Sequence, residues 1–159
     1  SKWLRKSVAG DMEARKEMAL GQYIAGMGFS NVGLGIVHSM AHPLSAVYDI
    51  PHGKACAILL TAVLKFNATA TGERYREVAR AMGVAGVDKM SQPEYRQACL
   101  DVVQKLADDV GIPRHLSELG VQEKDLDFLA KSAMADACTP GNPRDVTHDQ
   151  IVEIYKSIF

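Results

Sequence analysis

The sequence predicts an all-α fold, and three observations carry that expectation. Apolar residues recur at helical rather than strand spacing almost throughout the chain. Hydroxyl and acidic side chains open the periodic stretches and glycines close them, as helix starts and stops require. No segment of the 159 residues alternates between polar and apolar in the manner of a half-buried strand. The length suits one domain with a substantial core and is short for two.

Each element follows in chain order. From Asp11 to about Phe29, Met18, Ala19, Tyr23, Ala25 and Met27 fall at helix spacing, behind an acidic, charge-paired start in DMEARKE. A more apolar helix is expected from about Val32 to Tyr48, with Gly26, Gly28, Gly33 and Gly35 letting backbones approach closely. Pro51 cannot continue that helix, so the chain turns and a nearly all-buried helix, CAILLTAVLKFN, follows. TGERYREVARAMGV reads as an amphipathic helix stopped by Gly83. SQPEYRQACLDVVQKLADDVG carries Ser91 as N-cap, Pro93 in its first turn and Gly111 as its stop. IPRHLSELGV gives a turn with a short helix, and KDLDFLAKSAMADAC and THDQIVEIYKSIF close the chain, the latter capped by Thr147. Without an internal repeat, low-complexity stretch or linker, residues 1–159 are expected to form a single all-helical domain.

Composition narrows the function. A formal net charge of -1 argues against a basic nucleic-acid-binding face. No apolar run approaches the roughly 20 residues that span a bilayer, and the polar start SKWLRKSVAG lacks the apolar core of a signal peptide. Cys56, Cys99 and Cys138 are too widely spaced for a disulfide framework or a zinc knuckle. They read as unpaired thiols of a cytoplasmic protein, Cys56 and Cys99 as packing residues.

The stretch VHSMAHPLSAVYDIPHG, residues 37–53, holds three of the five histidines. His38 and His42, one helical turn apart, can converge on a metal ion. His38 and His52 would lie about 21 Å apart along one straight helix, but a turn before Pro51 can fold the second helix back and bring them together. Spacing alone leaves both pairings open. Neither supplies the three or four protein groups of a catalytic metal site, and Asp49, adjacent, sits in the turn. A lone histidine in such a place is ordinarily a hydrogen-bonded core or surface residue; three so close together weigh against that. The glycines of GMGFSNVGLG follow no strand, which makes them poor evidence for a dinucleotide-binding loop.

The run GMGFSNVGLGIVHSMAHPLSAVYDIPHG resembles the signature of the iron-dependent (group III) alcohol dehydrogenases. The likeness continues through CAILL, FNATATGERYREVARAMGV, GIPRHLSELGV and ACTPGNPRDVTHDQIVEIY, and so covers essentially the whole chain. It implies a two-domain enzyme of which this chain is the C-terminal helical domain, without the N-terminal dinucleotide-binding domain. The metal, Fe(II) with zinc as the alternative, is then held by an aspartate and three histidines, the last two matching His38 and His52. His42 matches a non-ligand histidine that assists proton movement or cofactor contact. Phe29 and Cys138 match residues near the nicotinamide and substrate pocket. The resemblance further implies NAD(H), a small aldehyde or alcohol as substrate, and a homo-oligomeric parent. With half of the ligand set, the chain alone is expected to be inactive and to hold iron and NAD(H) weakly or not at all. Ser45 stands where the family pattern has glycine, and Thr61-Ala62 replace a common Pro-His. The competing expectation is a non-enzymatic helical module that binds a metal or a partner protein.

Overall fold

Asp11, Ser91 and Thr147 each open a helix, because short polar side chains take up N–H groups that the first turn leaves free. In the computed structural model, which describes residues Ser1–Phe159, the Asp11 carboxylate accepts from the N–H groups of Glu13 and Ala14 at 2.9 and 3.0 Å. Ser91 and Glu94 form a capping box, as do Thr147 and Gln150. The helices are α1 (Leu4–Val8), α2 (Met12–Val32), α3 (Ile36–Tyr48), α4 (His52–Asn67), α5 (Arg74–Ala81), α6 (Gln92–Asp109), α7 (Leu126–Met134) and α8 (His148–Lys156). Short 3-10 turns connect them and there is no strand, so the fold is all-α as the periodicity predicts. No helix is long and apolar enough to cross a membrane.

The chain divides into two compact units, Ser1–Gly33 with Glu73–Gly111, and Leu34–Gly72 with Ile112–Phe159. In the first, α5 buries Tyr75 and Ala79, and α6 buries Tyr95, Cys99, Leu100 and Val103. The Arg76 guanidinium lies 4.6 Å from the centre of the Tyr95 ring. Arg5 of α1 donates to Asp109 at the end of α6 at 2.7 Å. Of the 21 residues of α2, only Ala14 is buried.

The second unit holds the histidines. Here α3 packs on α4 and α7, and α7 packs on α8. Ile36, Met40, Leu44, Leu59, Leu129 and Tyr155 fill the core with no exposed surface. Pro43 lies inside α3 and offers no N–H to the Ser39 carbonyl. Polar contacts gather at that weakened place: the Thr139 hydroxyl donates to the Ala133 carbonyl at 2.6 Å and accepts from Ser39 Oγ at 2.8 Å, and the buried Tyr155 hydroxyl donates to the Met40 carbonyl at 2.7 Å. Asp49 ends α3 in the left-handed region at φ 53° and ψ 28°. Pro51 then starts α4, making a helical hairpin.

The structure shifts several boundaries. Gly33, at φ 79°, ends α2, so α3 starts at Ile36 and not near Val32. Of the four glycines expected at close backbone contacts, only Gly35 makes one. A Cβ there would stand 3.2 Å from Asn142 Oδ1, whereas Gly26 and Gly28 sit inside α2 without crowding. α7 stops at Met134 instead of reaching Cys138. The Asp136 carboxylate takes the Cys138 N–H at 2.8 Å, a local turn that competes with the helix. The short α1 carries no apolar period of its own and was not expected.

Candidate metal centre on the α3–α4 hairpin

The left-handed residue at Asp49 and the break at Pro51 fold the start of α4 back toward α3. The His38 and His52 rings consequently lie 5.4 Å apart, centre to centre. His42, one turn along α3 from His38, stands 6.3 Å from His38 and stacks on His52 at 5.3 Å. All three histidines thus meet at one end of the hairpin, His38 partly buried and the other two exposed.

Two groups of donors form around these rings. Cys56, one turn after His52 on α4, places Sγ 3.5 Å from His52 Nε2. The donor atoms of His38, His52 and Cys56 all lie within 4.8 Å of one another. The second group is His42 with Asp136 and Cys138, within the same limit. Asp136 Oδ2 is 2.7 Å from His42 Nδ1. Cys138 N–H binds the other oxygen of the same carboxylate.

The turn that delivers Asp136 and Cys138 is fixed from several sides. Asn142 and Asn67 exchange side-chain amide hydrogen bonds at 2.9 Å in both directions. Arg144 donates to the Phe66 carbonyl at 2.9 Å while its guanidinium covers the Phe66 ring. Gly141 lies so close to α3's start that a Cβ would come within 2.1 Å of the Leu34 carbonyl oxygen. Only glycine fits there without moving backbone.

The surroundings set the protonation states. Burial lowers the His38 pKa, and the neighbouring His52 and His42 lower it further against an opposing pull from Asp136. His38 is therefore neutral near pH 7, the form in which imidazole ligates metals. For Asp136, burial pushes upward, but the hydrogen bonds from His42 and from Cys138 outweigh it, and the carboxyl sits below its ordinary value. An ionised Asp136 can only accept, so Nδ1 of His42 carries the proton of their hydrogen bond. Burial pushes Cys56 up to about 11, and burial with the nearby Asp136 carboxylate raises Cys138. Both are thiols at neutral pH. Imidazole, thiol and carboxylate donors suit a divalent transition ion such as iron or zinc, and an all-oxygen ion such as calcium poorly.

A family model described as Fe-containing alcohol dehydrogenase family, C-terminal, matches residues 1–159, the whole chain. The chain belongs to the Fe-containing alcohol dehydrogenases. It is 59% identical to lactaldehyde reductase of Escherichia coli K12 over 156 residues, covering 98% of this chain and 41% of that protein. Its fold superposes on an alcohol dehydrogenase from Oenococcus oeni with a TM-score of 0.94 and 37% identity, over 99% of this chain and 42% of that one. A sulfoacetaldehyde reductase from Bifidobacterium kashiwanohense, solved in complex with NAD+, is similar at TM-score 0.82 and 28% identity, over 99% of this chain and 40% of that one. The chain thus spans about 41% of the length of the curated relatives.

Set against the sequence expectations for such an iron-containing dehydrogenase, the hairpin brings His38, His42 and His52 together, and the turn after α7 adds Cys138 beside His42. Phe29 stands on α2, in the other compact unit, with 47% of its surface exposed. Asp49, the nearest carboxylate in sequence, belongs to neither donor group. Sequence reasoning takes Cys56 for a packing residue and does not single out Asp136, whereas both stand in the donor groups. Cys56 could have been singled out: it stands at i+4 from His52, the same spacing that made His38 and His42 noticeable. Asp136 had no such signal, because it reaches His42 from 94 residues away. Ser45, where the family pattern has glycine, leaves its buried hydroxyl without a hydrogen-bond partner.

Proposed function

We propose that this chain is the metal-side, single all-helical domain of a cytoplasmic, homo-oligomeric, NAD-dependent oxidoreductase. The enzyme interconverts a small aldehyde and its alcohol, of the lactaldehyde and propane-1,2-diol type. The observation that carries this reading is the convergence of His38, His42 and His52 on one hairpin, in a chain 59% identical to a lactaldehyde reductase.

On this reading His38 and His52 hold the iron from the two arms of the hairpin, together with an aspartate and a histidine from outside these 159 residues. When bound, Fe(II) supplies Lewis acidity to the carbonyl or alcohol oxygen, and the nicotinamide supplies or takes the hydride. His42 manages the proton. Its Nδ1–H is committed to Asp136, so Nε2 accepts a proton from the alcohol side and returns it on reduction. Asp136 keeps the ring in that tautomer, as a carboxylate behind a catalytic histidine does. Phe29 and Cys138 are assigned to contact with the nicotinamide by the family likeness. Gly26 and Gly28 lie inside α2 and make no phosphate-cradling loop, so NAD(H) takes its pyrophosphate contacts from the dinucleotide-binding domain that precedes this one in the parent enzyme. The isolated chain is inactive.

The test is iron content and NADH-linked reduction of lactaldehyde in the full-length gene product and its variants. His38→Ala and His52→Ala should strip the iron, whereas His42→Ala should keep it and slow turnover. Full iron and activity in both His38→Ala and His52→Ala would overturn the reading.

A further inference from the structure

We propose that Cys56 is a third protein donor beside His38 and His52, and that this two-imidazole, one-thiolate set tilts the centre of this chain toward zinc over ferrous iron. The inference rests on the reading of His38 and His52 as metal ligands.

The geometry comes first. A tetrahedral ion with a nitrogen bond near 2.1 Å and a sulfur bond near 2.3 Å separates those two donors by about 3.6 Å. His52 Nε2 and Cys56 Sγ already stand 3.5 Å apart. The third donor, on His38, falls within 4.8 Å of both, a gap that rotation of the His38 ring and a small shift of the ion can close. Both α4 donors sit one turn apart on the same side of a helix whose backbone is held by Leu59 and Val63 in the core. In the whole enzyme these three donors join the outside aspartate and histidine; in the 159-residue chain alone they leave the fourth position of a tetrahedral ion open.

Chemistry then selects the ion. The Cys56 thiol lies against His52 and within 4.8 Å of the His38 donor atom. Coordination makes one metal–sulfur bond, breaks the S–H bond and releases that proton to water. Thiolate is a soft donor that favours zinc, and zinc also precedes ferrous iron in the general affinity order for nitrogen and sulfur sites. The His42 group differs, since its carboxylate is already occupied by His42 and by the Cys138 N–H.

Cobalt(II) reports the bond directly, because a thiolate ligand gives a sulfur-to-cobalt charge-transfer band in the near ultraviolet that nitrogen and oxygen ligands lack. The experiment loads the 159-residue chain and the full-length gene product with cobalt, then measures zinc against ferrous iron in anaerobic competition. The charge-transfer band should be present in the unsubstituted proteins and absent in Cys56→Ser and Cys56→Ala. The zinc-to-iron preference should fall about tenfold or more in both variants, while circular dichroism stays that of the parent. Bound cobalt without the band, an unchanged preference in both variants, or no cobalt uptake by either protein overturns the proposal. If His38→Ala and His52→Ala abolish uptake while Cys56→Ser leaves band and preference intact, only the role of Cys56 fails. If those histidine variants take up cobalt as the parent does, the underlying ligand reading fails with it.

Discussion

Two histidines one turn apart on α3 meet opposite company. His38 faces His52 and Cys56 across the hairpin, a group of nitrogen and sulfur donors with no carboxylate in it. His42 faces Asp136, which accepts its Nδ1–H, and Cys138. In the first group burial, and then the neighbouring imidazoles, lower the pKa of His38; the second contains its own anion. On the proposed reading, identical side chains on one helix face are thereby given different work, one to hold a cation and the other to carry a proton. The difference comes entirely from what packs opposite them.

The largest effects should come from breaking the first group. His38→Ala or His52→Ala in the full-length protein should weaken iron binding by about 100-fold or more and abolish turnover, as metal analysis alongside the coupled assay will show. His42→Ala should leave the metal in place. Breaking the second group separately sharpens the contrast. Asp136→Asn removes the anion but keeps the shape, and should lower kcat by about 10- to 100-fold with little change in KM or metal content. Steady-state kinetics with metal analysis checks both, and metal loss in Asp136→Asn would erase the distinction between the groups.

Gly141→Ala acts on the scaffold of the second group alone. Its new Cβ collides with the Leu34 carbonyl, so the turn carrying Asp136 and Cys138 must shift. A cost of about 1–3 kcal/mol is expected from such overpacking, read by chemical denaturation, with metal uptake by His38 and His52 preserved. The smallest effect concerns His148, a carboxylate-paired histidine with no metal role. Hydrogen bonding to Asp149, then the pull of Asp127, raises its pKa. Its contribution to stability is full below the unfolded value of about 6.5 and is lost as pH rises through the raised folded value. His148→Ala should lower Tm slightly at about pH 5.5 and not at all well above neutrality. For His38 the sign is reversed: its lowered value makes the fold lose stability as pH falls below the same unfolded value.

Much of this arrangement was legible in the sequence. Caps at Asp11, Ser91 and Thr147 and stops at Gly83 and Gly111 are local signals, and each falls where the residues place it. The meeting of His38 with His52 was readable as one of two pairings, because Pro51 is a visible break. What stayed hidden depends on competition or on distance. The end of α7 turns on whether the Asp136 side chain outcompetes helix continuation for the Cys138 N–H, which composition does not reveal. The start of α3 depends on Gly33 adopting a positive φ, when the flanking apolar pattern runs on without interruption. The partnership of Asp136 with His42 joins residues from distant helices, and no periodicity encodes it.

The helical hairpin between α3 and α4 has a kinetic consequence. His38, His52 and Cys56 lie within two consecutive helices, so the contacts among them close only a short loop. The contact from Asp136 to His42 spans 94 residues, and the Tyr155 to Met40 hydrogen bond spans 115. Local contacts carry a small loop-closure cost and form early, while distant ones wait for the rest of the chain. During synthesis the hairpin leaves the ribosome before α7 and α8 exist to cover it. Its two imidazoles and its thiol are then together at a time when the proton-handling pair is not, and a thiophilic ion present at that moment would be captured by an incomplete enzyme.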